Sequence, residues 1–243
     1  MTTDLTDLPG VSRRAAPTLS LARRAGWAWY AVSALAIAIV APLPYLTTPM
    51  SQLAASGQGL AEHYDGQPHW IQTVLIVHAA TGGLSMALVP LQLLRPVRRR
   101  FMPFHRVVGG ALVALIVVSA TCGLVIAQVS YAGPVGTVGF SMLAVAWATS
   151  AVLAARSAVR RDAAAHRAWT IRVVALTYAA VVLRLWVGVW IGVVAPETEA
   201  AAQAAFDDAY IWTPFVCWVP NLLLAEWIIR RPRPAVSSTR HPR

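Results

Sequence analysis

Six stretches of this sequence are too long and too apolar for a soluble domain. They run from Trp27 to Leu46, Trp70 to Leu94, Val107 to Ser130, Val135 to Ala155, Ala168 to Val194 and Tyr210 to Ile229. Crossing about 30 Å of hydrocarbon takes about 20 residues of helix. A segment in lipid must satisfy its own peptide groups, which a helix does. The expected fold is therefore an all-α membrane protein, a six-transmembrane-helix bundle. Only 12% of the 243 residues are charged and 57% are hydrophobic, whereas soluble domains carry about 25% charge. That balance excludes a disordered chain and a disulfide scaffold and argues against a water-soluble enzyme.

The net charge of +10 comes from arginine alone, since all 20 basic residues are Arg. Such a balance can mark a nucleic-acid binder. Here the arginines sit in short clusters between apolar runs, so the expected partner is the lipid bilayer and not nucleic acid. All but two fall in the N-terminal tail, in the 95–106 and 156–167 connections, or in the C-terminal tail. The opposite connections carry Glu62, Asp65, Glu197, Glu199, Asp207 and Asp208 instead. Positive residues favour the cytoplasmic side, which puts both termini in the cytoplasm and the chain in the cell (cytoplasmic) membrane as a multi-pass protein. The division expected is a cytoplasmic tail over 1–25, a transmembrane domain over 26–230 and a second cytoplasmic tail over 231–243. The first run has no basic segment before a convincing cleavage site and reads as a retained helix. The first outer connection, Thr47 to His69, has room for a short interfacial helix. Cys122 and Cys217 lie inside apolar runs, with no CxxC or CxxCH.

The two remaining arginines, Arg172 and Arg184, lie inside the fifth run. A charge at the bilayer centre costs about 2.5–3.5 kcal/mol even on insertion scales, so such residues usually face the bundle interior. Arg172, a turn from the cytoplasm, can snorkel or pair. Arg184 lies about 24 Å along the helix from Ala168 and calls for an interior partner or a ligand. At 100° per residue His166, Thr170, Thr177 and Arg184 share a face. His78, Gly82, Ser85 and Gln92 form a seam on the second helix, as do His105, Gly109, Ser119 and Gly123 on the third. Ordinary packing of small residues accounts for the glycines and serines, but less well for three aligned histidines.

His105–Arg106 and His166–Arg167 open the third and fifth helices at the cytoplasmic face. Helix N-termini beside a cation attract anions, so these ends suit a phosphate, a carboxylate or an anionic lipid headgroup. Plain interface anchoring explains either one alone. Glu226, the only acid within the runs, is expected to pair with Arg172 or a loop arginine. The candidate cofactor-binding residues are His78, His105 and His166. The candidate ligand-binding residues are Arg106, Arg167, Arg172, Arg184 and Glu226.

These residues together resemble a bacterial domain-of-unknown-function family of polytopic membrane proteins. The resemblance is carried by His78 and Gly82, Val89-Pro90-Leu91-Gln92, His105-Arg106 with Gly109, and Gly139-Phe140 with Trp147. It continues through His166-Arg167-Ala168-Trp169-Thr170-Ile171-Arg172 and Leu183-Arg184, and ends on Trp218, Asn221, Leu222, Glu226 and Trp227. It covers about Val77 to Trp227, with Thr170 where the pattern usually has Met. It implies a membrane protein with these polar residues as its signature, and no reaction.

Three classes of function compete. A b-type haem redox protein, similar to the six-helix cytochrome b561 architecture, would pair His105 with His166, and His78 with Met142. Haem ligands usually stand about a turn inside a helix, whereas both inner histidines read as helix starts. A carrier or binding protein for a small anionic or lipid-like molecule would use Arg184, Arg172 and the His-Arg ends, although no inverted repeat is visible. A membrane enzyme or partner subunit lacks HExxH, GxSxG or P-loop support. The charge pattern makes a direct prediction. Reporter fusions at Gly57 and Thr198 should report outside, and those at Arg99 and Arg161 inside. A cytoplasmic signal from either outer position breaks the topology.

Overall fold

Residues 21–57 and 60–231 are described by a computed structural model. They are helical nearly throughout, with six helical segments long and apolar enough to span a membrane. The first span comprises α1 (Leu21–Val40) and α2 (Leu43–Thr47), separated at Pro42. Two short helices, α3 (Met50–Ala55) and α4 (Ala61–Asp65), lie in the connection between the first and second spans. The second span is α5 (His69–Leu93), followed by the short, arginine-rich α6 (Arg95–Arg100). The third is α7 (Met102–Ala127) and the fourth α8 (Gly133–Val159). The fifth joins α9 (Ala163–Thr177) to α10 (Ala179–Val194), and the sixth joins α11 (Glu199–Val216) to α12 (Val219–Arg230). Helix α1 begins within the segment read as a tail. The rest of the N-terminal tail, residues 1–20, and residues 232–243 lie outside the described residues.

Local chemistry sets the boundaries. Proline stands in the first turn of α7, α8 and α12, where its missing N–H costs nothing. Asp162 caps α9 by accepting from the Ala165 N–H at 2.9 Å, and Thr198 caps α11 by accepting from Ala201 at 3.2 Å. Several helix starts differ from the sequence expectation. Helices α7 and α9 start at Met102 and Ala163, so His105 and His166 stand a turn inside their helices and not at the starts. The sixth span begins at Glu199 rather than near Tyr210, reaching 32 residues, or about 48 Å. Its extra turns are alanine-rich, a strong helix former, and they are tied down when Tyr131 donates to Asp207 at 2.6 Å.

Consecutive spans pack as neighbours from the second through the fifth. The first lies against the second, and the sixth against the fourth and fifth. The principal core joins Leu112, Ile116 and Ala120 of α7 to Ala144, Trp147 and Ala151 of α8, with Leu176 and Cys217. Apolar side chains such as Val118, Val138, Met142 and Leu223 face outward. In water that exposure would be costly; against acyl chains it is not. The chain is a multi-pass membrane protein associated with a lipid bilayer.

Helices α8 and α11 approach each other closely. A Cβ at Gly139 would lie 2.6 Å from Pro214 Cβ and 2.7 Å from its carbonyl oxygen. At Gly110 a Cβ would meet nothing. Overpacking a close contact costs about 1–3 kcal/mol. Gly139→Ala should therefore lower the unfolding midpoint in detergent by several degrees while Gly110→Ala leaves it unchanged or raises it. Equal midpoints for both variants would refute the contact.

Candidate functional site within the bundle

All six spans line one cavity of about 560 Å³. His78, on α5 about 13 Å along the helix from His69, and Arg184 on α10 both border it. Two residues read from separate seams thus open onto one space. Thr177, Gly82, Ser119 and Gly123 of the same seams also line it.

The imidazole of His78 is fixed. Its Nδ1 lies 2.8 Å from the carbonyl oxygen of Ser119, an acceptor only, so Nδ1 carries the proton and donates. The Ser119 hydroxyl donates back to the His78 carbonyl at 3.2 Å. Nε2 is left with its lone pair free, the arrangement that second-shell bonds impose on ligating histidines. Gly123 makes room, since a Cβ there would come within 3.3 Å of the ring.

Arg184 is ringed by protein atoms yet remains accessible through the cavity. Its guanidinium donates to the Ala180 carbonyl of its own helix at 2.9 Å. Among the described residues the ion pairs are those of Glu226 with Arg172 and Arg230; Arg184 has none. Tyr45 and Tyr210 lie close enough to Arg184 to interact with its charge, Tyr64 lies near both tyrosines, and all three line the cavity. Among the described residues no hydrogen bond is formed by these three hydroxyls. Burial pushes the Tyr64 phenol up to about 12, so it stays an O–H donor throughout the physiological range. One cation bonded only to its own helix and three hydroxyls without hydrogen bonds line the same cavity as a fixed imidazole. That set can hold an anionic oxygen group.

The tyrosines are not evident in the sequence. Tyr45 ends an apolar run and resembles an interfacial anchor, Tyr64 lies in a connection, and Tyr210 was read as the start of a span. Only tertiary structure brings them together. Met142, considered as a partner for His78, is 49% exposed on the outer face of α8 and does not border the cavity.

The opposite end of the bundle is organised differently. Arg172 donates twice to Glu226, from Nε at 2.5 Å and from a terminal nitrogen at 3.0 Å, and lies 4.3 Å from the Trp169 ring centroid. His166 donates from Nδ1 to the Ala154 carbonyl at 2.8 Å, again freeing Nε2. His105 is near enough to His166 and Arg98 to feel their charges, and its buried Nδ1 has no partner, nor has the Nε2 of Gln92. Arg106 and Arg167 do not join this group. Both are exposed and, among the described residues, make no ion pair or hydrogen bond. Each follows its histidine by 100° of helix, so the histidine turns inward and the arginine outward. This end of the bundle therefore brings His105 near His166, with Arg172 paired separately to Glu226. Breaking a buried pair strands a charge and costs about 3–5 kcal/mol, and this half-buried one should cost about 1–3. Arg172→Ala should lower the midpoint in detergent by several degrees, and Arg99→Ala should have no effect. Equal, negligible shifts would reduce Arg172 to a topology signal.

No curated protein and no solved structure matches the chain. The model of a family described as "Predicted membrane protein (DUF2306)" matches residues 75–229. The match takes in His78, His105, His166, Arg172, Arg184, Tyr210 and Glu226, while Tyr45 and Tyr64 stand before it. By that match the chain belongs to the DUF2306 family of predicted membrane proteins.

Proposed function

We propose that this chain is a protein of the cytoplasmic membrane, with both termini inside, that binds a small organic anion in the His/Arg-lined interior of its outer half. One observation carries the reading. Arg184 borders a cavity inside a membrane span with only its own helix's carbonyl as partner. An uncompensated charge at that depth is expensive, and a carboxylate or phosphate ligand would supply the missing partner. The phenols of Tyr45, Tyr64 and Tyr210 would donate to the same group, and charge-assisted bonds of this kind contribute about 1.5–3 kcal/mol each. His78 Nε2 would accept from a ligand hydroxyl or protonated acid. The arginine-bearing turns, α6 and Arg156–Arg167, follow the second and fourth spans and so share an end of the bundle, which supports the orientation.

A second reading, b-type haem, has its own support at the inner end. His105 and His166 stand a turn inside their helices, as axial ligands should, and His166 offers a free Nε2. In the outer cavity haem would have a single imidazole, since Met86 is eight residues below His78 on the same helix, about 12 Å away.

Solvent extracts of the purified chain, analysed by negative-ion mass spectrometry, should contain one anion in near-stoichiometric amount. It should vanish from Arg184→Gln, which should still elute as a monodisperse peak. Equal retention by wild type and variant overturns the anion site. A Soret band that survives Arg184→Gln and is lost in His105→Ala would establish the haem reading instead.

A further inference from the structure

The cavity's walls also bear on where its ligand comes from and what shape it has. From the aqueous side the cavity is roofed. His63 and Tyr64 stack edge-on at 5.1 Å, His63 and Tyr131 at 5.5 Å, and Tyr131 and Tyr210 at 5.7 Å, with Phe206 against Tyr210 at 5.3 Å. The roof is fastened by Tyr131 donating to Asp207, and by the His63 Nε2–H donating to the Val129 carbonyl at 2.6 Å. The carboxylates of Glu62, Asp65 and Asp208 stand at the same end, which disfavours an anion arriving from water.

The side wall is different. On one flank α5 closes tightly on the first span, because a Cβ at Gly83 would lie 2.9 Å from the Ala38 carbonyl and 3.0 Å from Pro42. On the other flank the first span meets the fifth only low down. There Ser33 bonds the Tyr178 hydroxyl at 2.8 Å, Tyr30 packs on Tyr178, and Ala34, Met86 and Val181 form a small core. Above that sill α10 packs chiefly against α11. Arg184 and Gly188 border the cavity there and are exposed, and a Cβ on Gly188 would meet nothing within 4 Å. The gap between α1–α2 and upper α10 opens sideways, at the level of the outer leaflet.

The interior is also graded. The unpartnered polar groups gather near Arg184. Below it the walls are Met86, Ala120, Leu143, Ala144 and Leu176, an apolar shaft that follows α10 and α9 down for about 10–12 Å.

Resting on the anion-site reading above, we infer that the ligand is a single-tailed anionic amphiphile that enters sideways from the outer leaflet, its acid on Arg184 and its tail in the shaft. The full chain in phosphatidylcholine nanodiscs tests this with four probes: decanoate, decanol, acetate and inorganic phosphate. Decanoate should raise the unfolding midpoint by several degrees, the mass-action effect of a ligand that binds only the folded state. The other three should shift it little, and Arg184→Gln should weaken decanoate binding at least tenfold. Gly188→Trp, which fills open space and should fold normally, should weaken or slow decanoate binding to a similar degree. Acetate or phosphate acting as strongly as decanoate overturns the amphiphile and leaves the anion site standing. Decanol matching decanoate, or no response to any probe, overturns both. Full decanoate binding by Gly188→Trp overturns the lateral route.

Discussion

A helix in hydrocarbon satisfies its own peptide groups but not its polar side chains, and nearby water is absent to help. Much of this bundle follows from how each such side chain finds a partner. Most hydroxyls fold back on their own helix. Thr81, Ser85, Thr121 and Thr213 each donate to a carbonyl four residues earlier. Groups too large for that reach across to a neighbour. The Trp147 indole donates to Thr177 at 2.9 Å, His78 joins Ser119, and Arg172 joins Glu226. These three links tie the fourth span to the fifth, the second to the third and the fifth to the sixth. Arg184 alone among the spanning arginines is left facing a space, and the space is the candidate site.

The interruptions in the fifth and sixth spans belong to the same economy. Proline at 214 and 220 removes N–H donors from the sixth helix, and the carbonyls near the break are taken up by side chains. The Trp218 indole donates to the Pro214 carbonyl at 2.7 Å, and Asn221 donates to Cys217 at 3.0 Å and across to Ala175 at 3.3 Å. The break is thereby bonded into the core. Cys217 and Thr177 mark the floor of the cavity, and the helices diverge above them.

The spans, the outward-facing apolar surface and the Arg172–Glu226 pair were legible in the sequence, because length, hydropathy and a lone acid near a lone cation are local signals. The polar seams that carry His78 and Arg184 were legible as helical spacings. Other features depend on tertiary context. The alanine-rich segment from Glu199 is polar enough to read as a loop, and its capping and the Tyr131–Asp207 bond decide otherwise. Arg106 and Arg167 looked equivalent to their histidines in the sequence, and helical rotation separates them. The three tyrosines come from the first span, a connection and the sixth span, and no spacing relates them.

The interruption at Tyr178 lies level with the one at Cys217 and Trp218. Below that level α9 and α12 are joined to each other by Arg172, Glu226 and Asn221. Above it α10 leans chiefly on α11, with the Trp186 indole donating to the Ala209 carbonyl at 2.9 Å. The two upper half-helices therefore form a pair, joined to the lower half at two adjacent bends and held against the fourth span by the Gly139–Pro214 contact and the Tyr131–Asp207 bond. The bends thus let this pair diverge around the cavity while the lower half of the bundle packs closely.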